Sequence, residues 1–144
     1  MSGWHIAHFL VLGAWLGCVL CELVFEAAGA RNESLRRAAS AFHGAVDRYL
    51  EIPLLVGVIV TGMALMPGVQ MRGALIVKIA CGLGAVGVNG LCAIAVFKRE
   101  AAAATGASEH ELAALTRWIW ASAGVGVPLG LVALWIGGQT QGWW

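Results

Sequence analysis

The chain has 144 residues, 60% of them apolar and only 12% charged, with nine Lys/Arg against eight Asp/Glu for a formal charge of +1. Soluble domains average about 45–50% apolar and about 25% charged residues, and a domain this small could not hide so much apolar surface from water. The charge balance excludes an electrostatic nucleic-acid binder and the hydrophobicity excludes a disordered chain. A small all-α polytopic membrane protein remains.

A bilayer core of about 30 Å takes about 20 helical residues. Four stretches qualify, residues 4–28, 46–66, 73–97 and 117–137, and they predict an antiparallel bundle of four transmembrane helices forming one domain, 1–144. The first stretch has no basic segment before it and carries Glu22 and Glu26 near its end, so it reads as a span and not as a cleaved leader. Gly29-Ala-Arg-Asn-Glu-Ser34 closes it and offers Asn32 or Ser34 as the N-cap of an amphipathic lead-in starting near Leu35. Pro67-Gly68 is a turn signal between the second and third spans. Ser108-Glu-His-Glu111 is an S-x-x-E capping box, so the last helix should begin before its apolar stretch does.

Loop charges set an orientation. Arg31, Arg36, Arg37 and Arg48 surround the first loop, and Lys98, Arg99 and Arg117 the third, whereas the second has Arg72 alone. Cytoplasmic loops carry the Lys/Arg excess, which predicts a bacterial inner-membrane protein with both termini periplasmic. Trp4, Trp135, Trp143 and Trp144 then mark the outer interface, and Trp118 and Trp120 the inner one. Gly13-x-x-x-Gly17, the run Gly82, Gly84, Gly87 and Gly90, and Gly126-x-x-x-Gly130 are small-residue faces of the kind that let helices approach in lipid.

Ionisable side chains within spans are costly and mark candidate sites. They fall into two sets. The outer set is His5, His8 and Lys78, near the starts of the first and third spans. His5 suits an interfacial position beside Trp4; Lys78 either snorkels to the surface or meets His8 at similar depth. The inner set is Glu22 and Glu26 on the first helix and His43, Asp47 and Glu51 on the second, each series spaced by four so that it lies on nearly one face. A hairpin turning near residue 32 puts Glu22 opposite positions 42–46. Carboxylates with an imidazole suit a divalent cation or a proton relay; the competing reading is an ion-pair network with the nearby arginines. Cys18-x-x-Cys21 lies mid-helix without a second pair, and with Cys81 and Cys92 it reads as apolar filling.

Met1-Ser-Gly-Trp-His-Ile-Ala-His8 with Ala14-Trp15 beyond it, a basic first loop, Thr61-Gly62 late in the second span, Val77-Lys78 early in the third and Arg117-Trp118 opening the last follow one another in a familiar order. In order and spacing the chain resembles the HemJ-type protoporphyrinogen oxidases, with the copper-resistance D (CopD) type membrane domains as a related pattern. The resemblance implies haem b, with His8 and Lys78 as the functional pair and His5 beside them, and oxidation of protoporphyrinogen IX to protoporphyrin IX. The chain departs from that pattern at Cys21, Glu22 and Glu26, and Val125-Gly-Val-Pro128 keeps only the proline of the family's last-span motif.

Three functions therefore stand as expectations. The first is a haem- or porphyrin-binding redox protein through His8 and Lys78. The second is a metal-handling protein, with copper at an outer site of His5, His8, Met63, Met66 and Met71, or another divalent ion at an inner site of Glu22, Glu26, His43, Asp47 and Glu51. The third is a subunit of a homo-oligomer or larger membrane complex.

Overall fold

The computed structural model describes residues 2–142, and for Glu33 and Ser34 the backbone alone. Trp143 and Trp144, read above as outer-interface residues, and the Ser34 side chain lie outside what is described. Every regular element among the described residues is helical: α1 (Gly3–Arg31), α2 (Glu33–Val46), a π-helical turn (Asp47–Glu51), α3 (Ile52–Ala64), α4 (Gly73–Ala104) and α5 (Glu109–Thr140).

Three of these, α1, α4 and α5, are long and apolar enough to cross a membrane. Their exposed side chains fit that reading, because Leu10, Val24, Leu83 and Ile94 all point outward, where lipid rather than water would solvate them. The second predicted span has the expected lead-in but is not one unbroken α-helix. It is the far end of a longer helical run that begins at Glu33 and is broken by the π-turn. Alone, α3 has 13 residues, which reach about 20 Å at 1.5 Å per residue.

Local chemistry explains the ends. Ser108 Oγ accepts the Glu111 backbone N–H at 3.3 Å, which is half of the expected capping box and starts α5 eight residues before Arg117. At the end of α4, Gly106 has φ 74. The Ala107 N–H reaches Ala102 O and the Gly106 N–H reaches Ala103 O, the paired bonds of a Schellman cap that glycine closes without strain. Pro67 and Gly68 occupy the middle of a turn in which Val69 N–H bonds Met66 O. Gly68 has φ 76 there, as a type II turn requires after proline.

The break in the second run has a covalent cause. Pro53 has no N–H for the Tyr49 carbonyl, and its ring crowds that carbonyl. The chain relieves the crowding by widening one turn, so that Ile52 N–H bonds Asp47 O five residues back.

The chain divides into two compact units, Met1–Val69 and Gln70–Trp144. In the first, α1 folds back along α2, the π-turn and α3. Two glycines permit the close approach, and neither belongs to the small-residue faces read from the sequence. A Cβ on Gly29 would lie 3.0 Å from Ala39 Cβ and 3.3 Å from the Arg36 backbone, and one on Gly57 would lie 3.0 Å from Val11 Cγ1. Gly13 and Gly17 instead face open space. In the second unit α4 and α5 pair along their length. Val96, Ala95 and Ile119 form a buried cluster against Cys92. Gly126 fits against Val88 and Gly84 against Leu129, so these parts of the expected glycine faces do pack. The Arg99 guanidinium, buried, bonds Thr116 Oγ1 at 3.4 Å.

Overpacking a close helix crossing costs about 1–3 kcal/mol, whereas Ala in place of Gly at an unobstructed helical site gains up to about 1 kcal/mol. Gly29→Ala is therefore expected to lower the melting temperature of the detergent-solubilised protein, and Gly13→Ala to leave it unchanged or raise it. Circular dichroism on heating measures both.

Candidate metal centre

The hairpin of the first unit brings the inner set together at the end nearest the α1–α2 loop. On α1 the buried residues Trp15, Val19, Glu22, Glu26 and Gly29 recur at spacings of three and four, one face of the helix. The opposing run contributes His43 from α2 and Asp47 and Glu51 from the two ends of the π-turn, all buried. Glu26 pairs with His43, and Glu22 falls between His43 and Glu51. The contact of Glu22 with His43 falls within the positions 42–46 that a hairpin turning near residue 32 predicts.

The imidazole of His43 is the hub. Its Nδ1 lies 2.7 Å from Glu26 Oε1. Its Nε2 lies 3.5 Å from Glu22 Oε2 and 3.9 Å from Asp47 Oδ1. Glu22, His43 and Asp47 each offer a ligand atom, and these atoms lie within 4.8 Å of one another. A metal-ligating histidine usually gives its second ring N–H to a carboxylate or carbonyl, which fixes the tautomer and ring orientation; Glu26 stands in that relation to His43. Asp47, at 1% exposure, is the most deeply buried charged side chain here. The Glu22 and Glu51 carboxyls interact directly, close enough for a hydrogen bond when one carries a proton. Glu22 Oε1 and Glu51 Oε1 are buried without a hydrogen-bond partner.

The π-turn decides which way Glu51 points. In a regular α-helix each four-residue step advances the face by about 40°, so Glu51 would drift about 80° from His43. The wider turn takes up that drift and returns Glu51 toward Glu22. Of the inner set, Glu22, His43 and Asp47 therefore converge on one point, Glu51 adjoins them through Glu22, and Glu26 lies on the far nitrogen of the histidine. Arg48, one of the arginines near this end, is exposed.

The outer set is not gathered in the same way. His8 is buried and its Nδ1 lies 2.8 Å from Thr61 Oγ1. Thr61 Oγ1 in turn donates to Gly57 O at 2.6 Å. The threonine proton being committed there, His8 must supply the proton of the first bond, which leaves the Nε2 lone pair as the acceptor of the ring. His5 Nδ1 is engaged by Ser2 Oγ at 2.7 Å. Lys78 lies in the second unit; its Nζ is 3.3 Å from where a Cβ on Gly137 would be, beside the last turn of α5, whose carbonyl end favours a cation. Met63, Met66 and Met71 are exposed, and all four cysteines are free thiols.

Three features escaped the sequence reading. Thr61 as the partner of His8 depends on a contact across 53 residues, for which the sequence gives no local sign. The widened turn was signalled by Pro53, which the sequence shows as a break without revealing its form. The role of Glu26 on the outer nitrogen of His43 needed the register of the hairpin.

No protein-family model, curated protein or solved structure matches the chain.

A buried imidazole that loses its acceptor leaves an unsatisfied N–H, at a cost of about 1–3 kcal/mol. Glu26→Ala is expected to lower stability by that order, and Glu26→Gln, whose amide oxygen still accepts from Nδ1, by less. Thermal unfolding of the two variants side by side measures the difference.

Proposed function

We propose that the chain is a four-span membrane protein that binds a divalent cation between Glu22, His43 and Asp47. The observation that carries this reading is the chain of contacts from Glu26 through His43 to the two facing carboxylates. Nδ1 is engaged by Glu26 at 2.7 Å, and Nε2 faces Glu22 and Asp47. A lone pair aimed at two carboxylates is unfavourable unless something positive lies between them. Three buried carboxyls, those of Glu22, Glu26 and Asp47, stand around one imidazole, with the buried Glu51 beside Glu22, and protons or a cation must offset that charge in an apolar surrounding. A divalent ion does so while using every donor, and an ionisable cluster inside a span is a functional site by default.

In this reading the second span is formed by the end of α2, the π-turn and α3. The bias of seven Lys/Arg in the first and third loops against one in the second supports a cation site toward the cytoplasmic face of a bacterial inner membrane, with both termini periplasmic. Protein purified in detergent, stripped with a chelator and titrated with Zn2+ or Mn2+ is expected to bind one ion per chain. His43→Ala and Asp47→Asn are expected to weaken binding at least tenfold. Isothermal titration and elemental analysis check this, and a chain that binds neither ion overturns the reading.

A second reading keeps the haem or porphyrin function that the HemJ resemblance implies. One observation favours it: His8 is buried and held by Thr61 in the tautomer whose Nε2 carries the lone pair, as an iron-ligating histidine must be. This reading expects a Soret band in protein purified from a haem-replete host, lost in His8→Ala. A colourless preparation of folded protein rules it out.

A further inference from the structure

We infer that Glu51 is the fourth ligand of the cation site and that the π-turn exists to deliver it, giving one imidazole nitrogen and three carboxylates suited to a divalent first-row transition metal. The inference rests on the cation-binding reading above and extends it to a ligand and to a class of metal.

The first support is an accounting of buried oxygens. Glu22 and Glu51 are each more than nine-tenths buried, and each has an oxygen, Oε1, without a hydrogen-bond partner. Water is the usual partner of such atoms and burial removes it. The two carboxyls also lie against each other, an arrangement in which like charges repel. One cation satisfies both orphaned oxygens and converts the repulsion into a shared attraction.

The second support is backbone geometry. Widening the helix at 47–51 sacrifices regular α-helical hydrogen bonding, and the Ile52 N–H reaches back five residues to Asp47 O. Pro53 rules out the regular bond to the Tyr49 carbonyl, and the chain answers it here by widening rather than by ending the helix. The widened turn begins at one acid of the cluster and ends at the other, so the residues that bracket it are the ones it aligns. Single π-turns inside α-helices concentrate at functional sites for this reason.

The donor set selects the metal. Ca2+ takes six to eight oxygens and Mg2+ holds tightly to its water shell, so a buried site containing an imidazole suits neither. Cu(I) favours thiolate and thioether ligands, and the converging donors include none. An imidazole with carboxylates fits Zn2+, Mn2+ and Fe2+.

The test uses full-length protein in detergent, stripped of metal and titrated separately with Zn2+, Mn2+ and Ca2+. Wild type is expected to bind one Zn2+ or Mn2+ and to prefer both over Ca2+ by at least a hundredfold. Glu51→Gln is expected to keep the stoichiometry, weaken Zn2+ affinity at least tenfold and shrink the metal-induced rise in melting temperature. Its metal-free melting temperature should match or exceed wild type, since one of two facing carboxyls has become neutral. Glu51→Asp, which keeps the charge and shortens the reach, should also lose affinity and serves where the glutamine variant does not fold. Glu51→Gln that binds Zn2+ as tightly as wild type overturns this inference alone. So does a metal-free Glu51→Gln that melts lower while retaining the full metal-induced rise, because that is the mark of a purely structural acid. Wild-type protein that binds none of the three ions overturns the inference together with the reading beneath it.

Discussion

The hydrogen bond between His43 Nδ1 and Glu26 Oε1, 2.7 Å long, is the constraint around which the first unit is arranged. It joins two residues on opposite arms of a hairpin and so fixes the register of α2 against α1. With that register set, Glu22 falls one turn beyond Glu26 and Asp47 one turn beyond His43, and the two carboxylates meet the far nitrogen of the ring. The same contact settles the tautomer of His43, and the tautomer determines which side of the ring can face a cation. Removing Glu26 would thus act on the register, the ring and the ligand geometry together.

Glycine makes this register physically attainable. The Glu26–His43 pair lies one turn from the point where Gly29 meets the Arg36 backbone and Ala39. A side chain there would make the neighbouring helix give by a few tenths of an ångström, which loosens the register on which the 2.7 Å bond depends. The second close approach, Gly57 against Val11, repeats the device further along the hairpin, near the His8–Thr61 pair. Two polar contacts, each beside a glycine crossing, hold the arms of the first unit at its two ends.

Much of this was legible in the sequence. The apolar stretches marked the helices, the four-residue spacing of Glu22 and Glu26 and of His43, Asp47 and Glu51 marked two polar faces, and Ser108 with Glu111 marked the start of α5. These signals are local, carried by residues within a turn or two of one another. What stayed hidden depends on pairing between distant segments. The sequence ranked Gly13 and Gly17 by their spacing, but only the packed hairpin shows that they face outward while Gly29 and Gly57 face a neighbour. Likewise Pro53 removes one helical bond, but only the folded chain shows that it meets this loss by widening a turn. Thr61 was visible only as part of a family-like sequence and gained a role from His8.

Between its two polar ends the hairpin is mostly apolar. From Glu22 to His8 is 14 residues, about 21 Å of helix, and along that length Val11 meets Gly57, with Val19 and Leu55 buried. If a cation is held at the acidic end, as proposed above, its nearer opening is the α1–α2 loop, and passage to the other end along this hairpin would require α1 and α3 to part where Val11 seats on Gly57. Such a site would open at one end of the hairpin only, and its occupancy would follow the ion content at that end.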